Sequence, residues 1–354
     1  MGKRKRIAIL FGGCSPEYGV SLQSAASVLE HIDQVKYETL KIGISRGGDW
    51  YLYEGTLQDI QEDQWLNKAY CTPIAFLPNR GRASLLLLRD DGLCELSVDA
   101  VFPILHGANG EDGTVQGMFE LAGIPIAGCG VLSSALCMDK VRAHRLVKAA
   151  GIRTPCSLVY EKPYMEADIL DEAAVLGYPL FVKPVRAGSS LGITRVAQSR
   201  ELIPAMERAF MFDNTVVLEE AISGFEVGCA VLGNDVLTTG EVDEIELTEG
   251  FFDFEEKYTL KSSAIHVPAR IPPDDRFRIK DTAMRIYREL DCRGLARVDL
   301  FYTPDKEIVF NEVNTLPGFT SHSRYPSMMR TAGWDMSELI TKIIELALST
   351  HRKG

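Results

Sequence analysis

The chain has 354 residues, more than one hydrophobic core usually serves, so it is expected to divide into two or three packed lobes. With 46% hydrophobic and 25% charged residues it is neither a disordered nor a fibrous chain, and a formal net charge of -11 excludes a general nucleic-acid binder while leaving room for a local cationic pocket. Any anionic ligand must therefore meet concentrated positive charge. Eight cysteines without a C-x-x-C pair give neither a zinc ribbon nor a redox motif and read as reduced thiols.

The basic start Lys3-Arg4-Lys5-Arg6 followed by Ile7 to Phe11 imitates a signal peptide, but the apolar run ends at Gly12-Gly13, so 7–11 reads as a first strand. Arg6 stands where myristoylation needs Ser or Thr, and no apolar run approaches a membrane span. These features predict a cytoplasmic protein with neither a membrane nor a nucleic-acid partner. A helix follows at about 20–31, a strand at 37–44, a polar stretch containing tryptophan, a strand at 98–104 and a helix near 113–122, the rhythm of a parallel α/β lobe. Ser133-Ser134 read as the cap of a helix running to Ala150, where Gly151 stops it before Thr154-Pro155. The first domain boundary falls near Asp139.

Beyond it the pattern becomes α+β: a helix near 167–176, a strand at 179–184, a Gly/Ser turn, a strand at 192–196, a helix at 199–212, and strands near 216–220 and 225–232. A polar loop near 248–263 precedes a helix at about 274–290 whose Ile279, Ala283, Ile286, Tyr287 and Leu290 share one face. In the last helix Met336, Leu339, Ile340, Ile343, Ile344 and Ala347 recur at core spacing.

Three clusters point to chemistry. In Arg297-Val298-Asp299 and Asn311-Glu312-Val313-Asn314, alternate residues of strand-like segments share a face, so Arg297 with Asp299 and Glu312 with Asn314 project together. Such oxygen donors suit Mg²⁺, which takes carboxylates, waters and phosphates; a salt-bridged strand end is the competing reading. Phe181-Val182-Lys183-Pro184 runs into Arg186-Ala187-Gly188-Ser189-Ser190-Leu191-Gly192, whose backbone N–H groups can meet phosphate, although an ordinary hairpin explains the turn as well. It is neither a Walker A loop nor a dinucleotide fingerprint. In His106-Gly107-Ala108-Asn109-Gly110-Glu111-Asp112-Gly113, glycines precede a helix N-terminus where an anion can dock, or which is a plain capped turn.

Read together, these segments with Gly12-Gly13-Cys14-Ser15-Pro16-Glu17, Met138-Asp139-Lys140, Phe251 to Tyr258 and Asn311 to Gly318 stand in the order found in D-alanine–D-alanine ligases, and nearly the whole chain resembles that family. The resemblance implies an ATP-grasp fold: an N-terminal parallel α/β lobe (1–139), a small central lobe (140–234) and a C-terminal lobe (235–354) with a closing loop at 248–263, ATP lying between the last two. It implies that Lys140 and Lys183, with Ser189 and Ser190, hold ATP phosphates and that Glu219, Glu220 and Glu226 lie around adenine and ribose. Asp299, Glu312 and Asn314 would bind two Mg²⁺ ions, or Mn²⁺ in their place, with Asn311 beside them in the nucleotide site. Glu17, Ser189 and Tyr258 would form a hydrogen-bonded network beside the substrates, and Lys257 would join the transferred phosphate. His106 and Arg297 would neutralise the first substrate's carboxylate and the developing charge, while Gly318, Ser323 and Arg324 would meet the second substrate. A homodimer is implied as well.

The loop Phe251-Phe252-Asp253-Phe254-Glu255-Glu256-Lys257-Tyr258 resembles that of the vancomycin-resistance D-alanine–D-serine ligases, whereas lactate-using relatives carry histidine in place of the Lys257-Tyr258 pair. Phenyl in place of phenol at Phe252 leaves room for a serine CH₂OH, or forms a plain apolar wall for D-alanine. The expected reaction activates D-alanine as an acylphosphate and joins it to D-serine, with D-alanine as the alternative acceptor. A biotin-carboxylase-like or glutathione-synthetase-like ligase would not explain Glu17 and the 251–258 loop, and a non-catalytic binding protein would not explain Lys140, Lys183, Asp299, Glu312 and Asn314 together.

Overall fold

The computed structural model describes residues 4–247 and 263–350, built on three sheets. The first holds β1 (Lys5–Gly12), β2 (Tyr37–Ile44), β3 (Trp50–Tyr53), β4 (Cys71–Phe76), β5 (Ser84–Arg89), β6 (Gly92–Ser97) and β7 (Ala100–Pro103), in the order β6-β5-β4-β3-β2-β1-β7. The parallel core predicted for this lobe is β2-β1-β7, with β1 buried almost end to end as a strand covered on both faces should be. An antiparallel meander, β3 to β6, extends it from within the stretch that reads as polar. The 45–49 connection is too short for a crossover, so β3 must return antiparallel. Trp65 anchors this region: fully buried, it packs edge-on to Phe11 at 5.0 Å and donates to Tyr18 Oη at 2.8 Å.

Helices α1 (Tyr18–His31), α2 (Leu57–Gln61), α3 (Thr114–Ala122), α4 (Val131–Met138) and α5 (Lys140–Ala149) complete the first third. The single helix expected from Ser133 to Ala150 is two. Asp139 leaves helical geometry (φ -89°, ψ 96°) and its carboxylate accepts the Arg142 N–H at 2.9 Å, capping α5, while Ser133 and Ser134 lie buried inside α4. Gly151, at φ 78°, ends α5 where expected.

The central sheet, in the order β10-β9-β11-β8, is antiparallel: β8 (Ser157–Glu161), β9 (Leu180–Pro184), β10 (Thr194–Val196) and β11 (Thr215–Glu220). Leu180, Val182, Val216 and Leu218 turn one face toward α6 (Glu166–Leu176) and α7 (Leu202–Ala209), so Phe181, Lys183 and Glu219 turn to the other.

The third sheet, β14-β13-β12-β15-β16, is also antiparallel, with β12 (Phe225–Gly233), β13 (Leu237–Leu247), β14 (Ser263–His266), β15 (Leu295–Tyr302) and β16 (Ile308–Asn314). β12 lies at its centre instead of joining the smaller sheet beside β11. α8 (Pro273–Glu289) packs Ile279, Ala283, Ile286 and Tyr287 into the core formed with Val227, Val298 and Leu300, the face that its periodicity predicts. α9 (Arg324–Thr331) and α10 (Met336–Thr350) place Tyr325, Met328, Leu339 and Ile343 in the same apolar cluster as Ile7 and Phe102 of the first sheet. Among the described residues no helix is long and apolar enough to cross a membrane.

Candidate active site

The floor of the site is the antiparallel pair β15 and β16, with Arg297 opposite Asn314 and Asp299 opposite Glu312. Alternate residues of a strand share a face, so all four side chains project from one side of the sheet. The pairing slips between Asp299 and Leu300, where Asn311 is the extra residue of a β-bulge. Its carbonyl accepts from His144 Nε2 at 2.7 Å. Asp299, 1% exposed, is the centre of the floor: Arg297 donates through Nε at 2.8 Å and Nη2 at 2.7 Å, and Asn314 through Nδ2 at 2.8 Å. Burial opposes the Arg297 charge, but the adjacent Asp299 outweighs it and holds the guanidinium pKa above its usual value.

Behind this floor sits a second arginine. Arg324, at the start of α9, forks onto Asp243 of β13 through Nε at 2.7 Å and Nη2 at 2.8 Å, and Nη1 reaches Glu226 at 2.7 Å and lies 3.4 Å from Asp299. A Cβ at position 228 would lie 2.5 Å from Arg324 Nη2 and 2.8 Å from Asp243 Oδ1, so only glycine makes room for the pair. Asp243 also accepts the Gly228 N–H at 2.8 Å.

The wall comes from the first lobe. Glu17, buried ahead of α1, takes the Ser189 hydroxyl on Oε1, while a Cβ on Gly107 (φ 71°) would lie 2.6 Å from its Oε2. Its carboxylate is thus wedged between the 106–113 loop and the Gly/Ser turn. Ser189 and Ser190 are both left-handed (φ 51° and 57°), a cost of about 1 kcal/mol or more each that surrounding contacts must sustain. The loop grips the chain just beyond the floor from both sides of one residue. His106 Nδ1 donates to Leu316 O at 2.9 Å, and Glu111 takes the Leu316 N–H at 3.2 Å on one oxygen and the Gly107 N–H at 2.7 Å on the other. Burial, reinforced by Arg297, lowers the His106 pKa against the pull of Glu17, so the imidazole is neutral. Burial first and then Glu17 push the Glu111 carboxyl up to about 8.

On the far side, Lys183 Nζ donates to Glu219 at 2.6 Å and Lys140 Nζ to Ala187 O at 2.7 Å, which places both cations beside the Gly/Ser turn. Burial opposes the Glu219 charge, yet Lys183 first, then His144 and Lys140, hold its pKa below the usual value. Its Oε1 is buried and has no hydrogen-bond partner among the described residues. A site with two buried lysines, a strained turn rich in N–H groups and one orphaned acceptor fits a nucleotide, whose phosphates need cations and whose base and sugar bring donors. Among the described residues no three His, Cys, Asp or Glu side chains gather as a metal site. The floor instead offers two carboxylates and an amide oxygen, which fits Mg²⁺ completed by phosphate oxygens and water. Floor, wall and turn line one cleft of about 650 Å³.

Two family models cover this chain: "D-ala D-ala ligase N-terminus" matches residues 6–129 and "D-ala D-ala ligase C-terminus" matches residues 146–345. The chain belongs to the D-alanine–D-alanine ligase family. Members are ATP-dependent ligases that form a peptide bond. The D-alanine–D-alanine ligase of Caldicellulosiruptor bescii is 42% identical over 98% of this chain and 96% of its own length. The vancomycin C-type resistance protein VanC1 of Enterococcus gallinarum is 45% identical over 98% of this chain and 100% of its own. The crystal structure of the VanG D-Ala:D-Ser ligase from Enterococcus faecalis superposes with a TM-score of 0.91 at 54% identity, covering 98% of this chain and 100% of that one.

Glu17, His106, Lys140, Ser189, Arg297, Glu312, Asn314, Gly318 and Ser323 all line the cleft, and Ser323 Oγ takes the Thr320 N–H at 3.0 Å in space that a side chain at Gly318 would fill. Phe252, Lys257 and Tyr258 lie outside the described residues. Five further expected residues have partners within the chain. Arg324, which also lines the cleft, directs Nε, Nη1 and Nη2 at Asp243 and Glu226, and Glu226 shares that pairing. Glu220 alternates with Glu219 along β11, faces the opposite side and takes the Cys156 N–H at 2.9 Å. His106 is neutral, so it offers a hydrogen bond and no charge. Asn311 contributes its carbonyl to His144 through the bulge. Asp243 is the member of this network that no motif reveals, whereas Glu111 stands inside the His106–Gly113 run.

Replacing Arg324 by Leu leaves Asp243 buried and unpaired, so it is expected to cost about 3–5 kcal/mol in denaturant unfolding, part of which the double variant Arg324→Leu/Asp243→Asn recovers. A single variant as stable as the wild type would contradict the network. Glu111 titrates higher folded than unfolded, so the folded state keeps a proton that the unfolded chain releases above its ordinary 4.5. The stability it adds is complete below 4.5 and lost as pH rises through about 8. The thermal midpoint of Glu111→Gln should therefore fall less than that of the wild type between pH 5 and pH 8.5.

Proposed function

We propose that this ligase activates D-alanine with ATP and joins it to D-serine, forming the D-alanyl-D-serine that ends peptidoglycan precursors in vancomycin resistance. The observation that carries the reading is the convergence in one cleft of Glu312, Asn314, the Arg297 guanidinium and the Glu17–Ser189 pair, with Asp299 bonded to Arg297 and Asn314 on the same strand face. A carboxylate is a poor electrophile. It must take the terminal phosphoryl group of ATP on one oxygen before the second substrate's amine attacks the carbonyl carbon and phosphate leaves.

Asp299, Glu312 and Asn314 would hold two Mg²⁺ ions, which supply charge neutralisation at the transferring phosphoryl group. Lys140 and Lys183, with the turn at Ser189 and Ser190, hold the phosphates, and Glu219 faces the rest of the nucleotide. Glu17 accepts the D-alanine ammonium, its orientation set by the Ser189 hydroxyl. Arg297, its plane fixed by Asp299, meets the D-alanine carboxylate and stabilises the charge that develops in the tetrahedral intermediate. His106 adds a neutral hydrogen bond beside it. Ser323 and Gly318 border the second substrate, with Phe252 as the wall that admits the serine hydroxymethyl. Lys257 and Tyr258 would close over the site from the 248–263 loop and exclude the water that hydrolyses an acylphosphate.

D-serine as acceptor is supported by the Phe252 loop and by likeness to the VanG ligase. D-alanine as acceptor is the second reading, favoured by the Caldicellulosiruptor relative. The deciding experiment supplies ATP, Mg²⁺ and D-alanine with D-serine and D-lactate in equal competition at neutral pH and identifies the products by mass. D-alanyl-D-serine is the expected major product. A majority of D-alanyl-D-alanine or D-alanyl-D-lactate removes the serine assignment, and no condensation product with any acceptor overturns the substrate reading as a whole.

A further inference from the structure

Resting on the nucleotide reading of the cleft, the inference concerns His144, which none of the assignments above uses. α5 presents Lys140 and His144 one turn apart on the same face, so the helix that brings a phosphate-binding lysine also brings an imidazole. His144 is 6% exposed, and its ring packs edge-on against Phe310 at 5.2 Å, the residue before the β16 bulge. Nε2 lies 2.7 Å from the Asn311 carbonyl oxygen. A carbonyl only accepts, so Nε2 carries the hydrogen, and Nδ1 without one is an acceptor.

That acceptor faces another. Nδ1 stands 3.8 Å from Glu219 Oε1, the buried oxygen with no hydrogen-bond partner among the described residues, whose sister oxygen is held by Lys183 at 2.6 Å. Two lone pairs across a gap too long for a direct bond leave a buried polar position that one N–H or O–H donor would satisfy on both sides. The bulge fixes the tautomer, the helix fixes the ring, and Lys183 fixes the carboxylate, so the position is preorganised.

We propose that His144 Nδ1 and Glu219 Oε1 form a paired acceptor for a single hydrogen-bond donor of the bound nucleotide, which makes His144 a nucleotide-binding residue of this ligase. The test is calorimetric titration of ADP with Mg²⁺ into the full-length wild type and into His144→Phe, His144→Gln and His144→Asn, each checked for folding by its thermal midpoint. Phe keeps the ring packing without either nitrogen. Gln restores a donor to the Asn311 carbonyl but no acceptor at the Nδ1 position, and Asn restores that acceptor but cannot reach Asn311.

Binding is expected to weaken about tenfold in the Phe and Gln variants and to stay within about threefold of wild type in Asn, with the KM for D-alanine unchanged. If Phe does not fold, the Gln and Asn pair decides alone. The reverse order, with Gln near wild type and Asn weak, shows that His144 only anchors the bulge and overturns the proposal. So does equal affinity in all variants, the result expected if the donor at this position is water. A wild type that does not bind ADP overturns the nucleotide reading beneath it, an outcome separate from any ranking of the variants.

Discussion

Everything in the cleft depends on the register of β15 against β16. Because Asp299 stands opposite Glu312 and Arg297 opposite Asn314, two carboxylates, an amide and a guanidinium share a few ångströms of one sheet face. A slip of one residue would send every one of them to the core on the other side. The Asn311 bulge absorbs the extra residue and lets both ends of β16 keep their pairing, and it is held from outside the sheet, by Arg153 O on the Phe310 N–H at 2.8 Å and by His144 on the Asn311 carbonyl. The geometry of this strand face is thereby tied to α5 and to the segment that follows it.

A chain with net charge -11 has to spend its cations carefully to handle an anionic nucleotide. Arg297 and Lys183 are each fixed by one buried carboxylate, Asp299 and Glu219, and Lys183 holds the Glu219 pKa below its usual value against the effect of burial. Arg324 lies one layer deeper, buried among Asp243, Glu226 and Asp299 and raised well above its ordinary pKa by them against the opposing effect of burial. It sets a positive charge under the floor, 3.4 Å from the 1% exposed Asp299. Glu111 shows the opposite balance: with no cation beside it among the described residues and Glu17 nearby, two backbone N–H groups do not keep its pKa down.

Residues close in sequence, or spaced by the period of their element, were legible. The Arg297–Asp299 and Glu312–Asn314 spacings predict a shared face because strand periodicity is local, and the α8 and α10 stripes do so for the same reason. The single helix over 133–150 fails at Asp139, where capping chemistry overrides an unbroken apolar pattern. The β3 to β6 meander stays hidden because β4 and β6 are half-exposed or exposed throughout and bury no residue that would mark a strand. Arg324 stands out by its motif, whereas its partner Asp243 lies 81 residues earlier and no local pattern marks it. His144 carries a faint local signal, its spacing of four from Lys140, which gains meaning only once Glu219 and Asn311 are brought to it by the fold.

The most direct test of the strand-pair account is Mn²⁺ binding followed by electron paramagnetic resonance in the presence of ADP, comparing the wild type with Glu312→Gln. The account predicts that wild type holds the ion and that the substitution weakens binding at least about tenfold, because one of only two carboxylate ligands is lost, while the thermal midpoint stays near that of the wild type. Unchanged Mn²⁺ affinity in a folded Glu312→Gln protein would contradict the assignment of this face as the metal floor.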